Sequence, residues 1–345
     1  MKNHNPERII SDIASTLKPE YRYDGKEDFA LWQERSRSKL SELLGLNYML
    51  KCEPLFEIEY TKDCGEYTKM RFTFQSEPGY YVPGYILMPK NVSAPIPATI
   101  CIQGHSKGMQ ISIGEAKYEG DLDVLKQLDE DFGLQAVKRG SCAIVLEQRY
   151  MGECGGDEEG PGCCSGGREG TASAVKALLV GRCAIGERVW DISRLIDAVN
   201  DNFKQIDTDN LTCVGTSGGG TATFYAACID ERIKYALPAC SVCTYSESII
   251  NIYHCPCNYI PSIARYFDMG DLGGLIAPRG LVIFAGETDP IFPIQGVRKT
   301  ADIIKSLYRA AGAENKFRLA VDDCGHCFSP NAAYKALDEI QKNDR

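Results

Sequence analysis

The chain has 345 residues, a formal net charge of −9, 44% hydrophobic and 25% charged residues. That is enough for one large domain or two with a full core, and the acidic balance excludes nucleic acid, whose phosphates need a basic surface. No apolar run approaches the roughly 20 residues of a membrane span. The first residues, Met1 to Arg8, lack the apolar centre of a signal peptide, so a cytoplasmic protein without a membrane partner is expected.

In chain order, residues 1–50 mix helical patterning with charge, as in Phe29–Trp32 and Leu40–Leu44, and predict an N-terminal helical extension. Alternating segments follow at Leu55–Thr61, Tyr67–Gln75 and Tyr81–Met88, the pattern of antiparallel strands with one buried face. From Ala98 the texture changes to short apolar runs: Ala98–Gln103, Ser141–Glu147, Leu211–Gly215, Tyr235–Ala239, Leu281–Gly286 and Lys316–Val321. Helical patterns separate most of them, which predicts a parallel sheet covered on both faces. An antiparallel start and about eight mostly parallel strands give the α/β-hydrolase layout over residues 51–345. Two connections are long, at about 106–140 and 241–278. The second carries Tyr245, Tyr253, Tyr259, Tyr266 and Phe267, and insertions at strand C-ends usually shape a pocket.

Two Gly-x-Ser-x-Gly motifs follow strands, Gly104–Gly108 and Gly215–Gly219. With 33 glycines in the chain the motif decides nothing by itself, and context must separate the two. Ser217 comes after five or more strands and opens a small-residue helix, Thr221–Cys228, as a nucleophile elbow requires. Ser106 follows only the first parallel strand, and Met109–Gly114 behind it is not a helix start. Ser217 is therefore the expected nucleophile. The first motif lies where this fold supplies an oxyanion-hole amide, so the expected donors are the backbone N–H groups of His105 and Gly218. Only the His105 amide is required; its imidazole is expected simply to pack.

The chain holds four histidines, His4, His105, His254 and His326. The order Ser, acid, His leaves His254 and His326. His326 lies past the last strand and before the terminal helix, where the base belongs; His254 comes too early. Asp289 follows the penultimate strand and is the expected acid, with Glu287 as the fallback. Asp322 and Asp323 are read as solvated loop charges.

Sixteen cysteines in a chain of this size, with no export signal visible, read as reduced thiols used as small core residues, Cys101, Cys142, Cys213 and Cys228 among them. Cys324-Gly325-His326-Cys327 has the form of a redox motif, but no thioredoxin-like strand pattern follows its helix. His254-Cys255-Pro256-Cys257 offers metal-ligand types, yet C-x-C is tighter than zinc spacing and no second ligand pair stands beside it in sequence. Cys163-Cys164 likewise lacks spacing. No metal and no organic cofactor is expected.

Three further stretches carry a family resemblance: Glu147-Gln148-Arg149-Tyr150-Met151-Gly152-Glu153, Gly186–Arg194, and Tyr266–Leu272 with Ala277-Pro278-Arg279 leading to Asp289–Pro293. With the elbow they make the chain similar to the acetyl xylan esterase, cephalosporin-C deacetylase and dienelactone-hydrolase-like branch of the α/β-hydrolases. Gln103-Gly104-His105, Glu147 and Tyr150 depart from that pattern, and Cys154–Gly167 is peculiar to this chain. The resemblance implies a serine carboxylester hydrolase that forms an acyl-enzyme on a small ester, carbohydrate esters included. Arg149, Tyr253 and Tyr259 are candidates for substrate contact, although a structural ion pair is the favoured role for Arg149. A peptidase or amidase on the same residues is the alternative; a thiol-redox protein or a non-catalytic binding protein fits less well. A homo-oligomer is compatible with the sequence, which does not fix the oligomeric state.

Overall fold

The computed structural model describes residues 4–106, 108–127, 129–155, 162–163, 168–342 and 344. Its strands are β1 (Glu57–Asp63), β2 (Tyr67–Glu77), β3 (Tyr80–Pro89), β4 (Ile96–Ile102), β5 (Cys142–Leu146), β6 (Met151–Gly152), β7 (Gly162–Cys163), β8 (Ile206–Thr216), β9 (Ile233–Ala239), β10 (Gly280–Gly286) and β11 (Phe317–Asp322). Nine of them form one sheet in the order β1-β2-β3-β5-β4-β8-β9-β10-β11, and β6 pairs only with β7. The run β1-β2-β3-β5 is antiparallel and β5 to β11 is parallel. This is one strand more than the expected eight. β1 is exposed along its whole length, and its charged residues Glu57, Glu59, Lys62 and Asp63 keep that open edge from pairing further.

The helices are α1 (Pro6–Thr16), α2 (Phe29–Leu43), α3 (Asp121–Gln127), α4 (Phe132–Lys138), α5 (Arg168–Ala177), α6 (Ala184–Asn202), α7 (Gly218–Ile229), α8 (Ile263–Tyr266), α9 (Met269–Gly273), α10 (Ile294–Ala310) and α11 (Pro330–Lys342). Two cores result from the period-two alternation of the parallel strands. Ile100, Ile102, Ile144, Cys213, Leu281 and Ile283 face one core with α6, α7 and α10. Cys101, Val145, Val214, Val282 and Phe284 face the other with α4 and α11. Cys101, Cys142, Cys213 and Cys228 are buried there as thiols, and burial pushes Cys142, Cys213 and Cys228 well above the usual thiol range.

The N-terminal helices are tied to the main body. Asp28 caps α2 by accepting from the amides of Ala30 and Leu31. Trp32, Leu40 and Leu44 on or just after this helix are fully buried, and Gln33 donates to the carbonyls of Gly274 and Ala277. In the second long connection, Asp268 and Asp271 form a capping box on α9. In the first, the stretch behind Ser106 is not fully irregular, since Met109–Ile113 forms a 3-10 helix.

Arg149 lies in a buried ion cluster, the structural role favoured for it over substrate contact. Its guanidinium donates to Asp191 through Nε and Nη2, both at 2.8 Å. Its Nη1 stands 2.9 Å from Glu77 and 3.6 Å from Glu187. Burial works against the Arg149 charge, but these carboxylates outweigh it and hold the group protonated. The polar edge is thus consumed, and the cluster ties β2, the segment after β5 and α6 together. Arg149→Ala leaves Asp191 buried without its cation. A stability loss of about 3–5 kcal/mol is expected, read as a lower urea midpoint; a loss under about 1 kcal/mol would contradict the assignment.

Candidate active site

Strand β8 delivers Ser217 at its end and α7 starts one residue later. Ser217 has φ +54° and ψ −120°, a conformation that costs a non-glycine residue on the order of 1–3 kcal/mol. It is held there by its own amide donating to Ala239 O at 2.9 Å and by the Thr221 amide donating to Ser217 O at 2.8 Å. The flanking glycines have steric causes. A Cβ on Gly215 would stand 2.6 Å from the Gly219 carbonyl, and one on Gly219 would stand 2.3 Å from the carbonyl oxygens of both Ile102 and Gln103. The turn is therefore pressed against the end of β4, where no side chain fits.

Asp289 and His326 come from the loops after β10 and β11. The two loops are laced together by Glu287 N to Asp322 O at 2.9 Å and Thr288 N to Cys324 O at 3.0 Å. His326 Nδ1 lies 2.8 Å from Asp289 Oδ2. The other oxygen, Oδ1, accepts from the amides of Ile291 at 2.8 Å and Phe292 at 3.1 Å. Burial raises the Asp289 carboxyl, but His326 and these amides outweigh it and hold it below the usual carboxylate range. Phe292 stacks on the His326 ring with the planes 15° apart. Glu287, the fallback acid, is spent on Arg298 at 2.7 Å. Asp322 and Asp323 are exposed.

Ser217, Gly218, His326, Gly104, His105 and Ser106 line one cavity of about 300 Å³, together with Glu130, His254, Asn258 and Phe292. The His105 ring lies directly over Gly218: a Cβ there would fall 2.6 Å from His105 Cε1. Tyr253 stands at the rim, 84% exposed. Tyr259 lines a separate surface groove with Ile249 and Ile263. Neither it nor Arg149 is among the residues lining the cavity.

Three features were not legible in sequence. His254 joins the site although its position in the chain is too early for the base. Ser248 Oγ donates to Ile291 O at 2.7 Å, so it accepts from His254 Nε2 at 2.9 Å. Burial, with His105 and His326 nearby, pushes His254 down to about 4, and it stays neutral at pH 7. His105 meets the insertion, with Nε2 3.2 Å from Cys257 Sγ; the missing companion of the Cys255–Cys257 pair is thus supplied from 150 residues away by the fold rather than by local spacing. Cys154–Gly155 and the backbone of Gly162–Cys163 apart, the Cys- and Gly-rich stretch with Cys164 lies outside the described residues.

Glu130 is the third. Its carboxyl is buried against Gly104, and burial pushes it up to about 7 against the opposing pull of His326 and the Gly104 amide. An acid raised on folding contributes stability that is full below its unfolded value near 4.5 and is lost as pH rises through about 7. Glu130→Gln fixes the neutral form. The stability gap between variant and wild type should therefore widen in favour of the variant from pH 5 to pH 8, by up to about 3 kcal/mol. Melts across that range check it; a gap that stays flat with pH would contradict it.

Among known proteins, a family model described as "Abhydrolase family" matches residues 5–173, ending before Ser217. The chain is 26% identical over 267 residues to "Putative hydrolase YtaP" of Bacillus subtilis (strain 168), covering 75% of this chain and 83% of that one. A "putative acetyl xylan esterase" structure from Bacteroides fragilis NCTC 9343 superposes with a TM-score of 0.78 at 16% identity, over 99% of this chain and 95% of that one. A glucuronoyl esterase from Solibacter usitatus does so with a TM-score of 0.68 at 14% identity, over 95% and 98%. No helix among the described residues is long and apolar enough to cross a membrane. Sheet order, the strained turn at the end of β8 and these likenesses agree: the chain has the α/β-hydrolase fold, in the form also seen in structures named as acetyl xylan and glucuronoyl esterases.

Proposed function

We propose that the protein is a serine carboxylester hydrolase that removes small acyl groups, acetyl foremost, from alcohols that include carbohydrate hydroxyls. The observation that carries this reading is the 2.8 Å contact of His326 Nδ1 with Asp289 Oδ2 beside a serine held at φ +54° in one cavity. With Nδ1–H donated to Asp289, Nε2 of His326 is the free base. It takes the Ser217 proton as Oγ attacks the ester carbonyl, then passes that proton to the leaving alcohol. The acyl group stays on Ser217 until His326 activates water, and deacylation returns the free serine.

The oxyanion is met by the amides of His105 and Gly218. Gly218 is the first residue of α7, so its N–H has no carbonyl one turn back to bond within the helix, and the helix dipole favours negative charge there. The Gly104 amide is engaged by Glu130, which leaves His105 as the donor from that loop. A cavity of about 300 Å³ is at the small end for ligand sites and suits a short acyl chain. No lysine or arginine is among the described residues lining it, which suits an uncharged ester. Proteins of the same fold named as acetyl xylan and glucuronoyl esterases support a carbohydrate ester as substrate.

The test is a panel of p-nitrophenyl acyl esters of increasing length, acetylated sugars and peptide anilides, each run with Ser217→Ala as the blank. Cleavage of short esters, falling with chain length and absent for anilides, is expected. Cleavage of anilides in preference to esters would overturn the esterase reading in favour of an amidase.

A further inference from the structure

Cys255 and Cys257 flank a proline at the start of a short 3-10 turn, Pro256–Asn258. In the fold His105 reaches this pair from the loop after β4. A ring nitrogen of His105, Cys255 Sγ and Cys257 Sγ all lie within 4.8 Å of one another, and His105 Nε2 is 3.2 Å from Cys257 Sγ. Tetrahedral zinc with bonds of about 2.3 Å to sulfur and about 2.0 Å to nitrogen puts such donors about 3.5–3.8 Å apart. The trio is thus within roughly 1 Å of a ligand set, and small rotations of side chains close it.

The chemistry of the donors agrees with the geometry. Two thiols and an imidazole are soft and borderline ligands that prefer zinc or a similar thiophilic ion to magnesium or calcium. The Cys257 amide donates to Cys255 Sγ at 3.5 Å, a contact that steadies a metal-bound thiolate. Both sulfurs are buried, with Cys255 6% and Cys257 1% exposed, where a thiolate is costly unless a cation neutralises it.

We propose that His105, Cys255 and Cys257 bind one thiophilic divalent cation, Zn2+ foremost, leaving a fourth position to water or another group. Each thiol gives up its proton to solvent as its metal–sulfur bond forms, and no electron is transferred. The ion fastens the loop that carries His105 and Gly104 to the insertion that carries His254 and Asn258. Its place is structural: it binds the His105 ring, while the amide of that residue stays turned to the cavity reaction.

The experiment uses the full chain with any affinity tag removed and a phosphine reductant present throughout. After treatment with a chelator and its removal, Co2+ is titrated and the thiolate-to-cobalt charge-transfer absorption is followed, then bleached with Zn2+. One cobalt per chain, displaced by zinc, is expected, with a higher melting temperature in the zinc form. Cys255→Ser and Cys257→Ser should each weaken binding by at least about tenfold and diminish the band. His105→Gln leaves both thiols in place and should weaken binding likewise, so it decides the matter if a serine variant fails to fold. Cys324→Ser with Cys327→Ser, the other cysteine pair near the site, should leave the titration unchanged. Absence of a charge-transfer band in the wild type, or a band of equal strength and affinity in His105→Gln, would overturn the proposal. Neither readout involves ester hydrolysis, so this result and the esterase reading stand or fall separately.

Discussion

Ser217→Ala is expected to lower kcat for p-nitrophenyl acetate by at least about 10^4-fold, with little change in KM and an unchanged circular dichroism spectrum. The reasoning begins with the backbone. Ser217 stands at φ +54° among the residues that line the cavity. Alanine bears the same strain, so the turn keeps its shape and only the attacking oxygen is lost. Residual activity over water would come from the amides that meet the oxyanion. Ser217→Gly separates the two effects: it is equally inactive, but glycine accepts φ +54° at no steric cost and should gain about 1 kcal/mol of stability. A fluorophosphonate probe should place one adduct on the peptide containing Ser217. An adduct on Ser106 instead, or a Ser217→Ala variant retaining a tenth of the wild-type rate, would remove Ser217 from the mechanism.

The architecture was readable because each strand carries its own signal. Apolar runs such as Leu281–Gly286 are short, and buried on both faces as inner strands are; β2 is part-buried along its length as a strand with one covered face is, whereas β1, expected to share that pattern, is exposed throughout because it forms the open edge. Ser217, Asp289 and His326 follow from strand order and from the four histidines that compete; the structure sets Asp289 against the His326 ring and lines one cavity with Ser217 and His326. Glu130 was not, because nothing local distinguishes it among the acidic residues of its loop; its burial comes from the return of that loop onto Gly104. His254 was discounted on order alone, although packing against Phe292 and Ser248 brings it to the same cavity. Arg149 shows how far such a reading reaches. A structural ion pair is the favoured reading of its motif, but its partners Asp191, Glu77 and Glu187 lie far apart in the chain, on α6 and β2, and only the fold identifies them. Long-range electrostatics of this kind leave no periodicity and no spacing to find.

Asp289→Asn carries the second large effect, a fall in kcat of about 10^4-fold at neutral pH. On the proposed mechanism a nearly isosteric change is costly for a geometric reason. Oδ1 of Asp289 accepts from two amides, those of Ile291 and Phe292. In the variant the carboxamide oxygen must remain there, since an NH2 group would face two donors. The NH2 is then fixed against His326 Nδ1, at the place of Oδ2. Nδ1 is forced to accept, the ring proton moves to Nε2, and the base presents a proton to Ser217 where it needs a lone pair. The charge that steadies the imidazolium during acyl transfer is lost as well. KM should change little, and 15N shifts of the His326 ring should report the exchanged tautomer. A fall of less than about tenfold with the tautomer unchanged would remove Asp289 as the partner of the base, and Glu130, the other buried carboxyl whose charge reaches His326, would be the group to replace next.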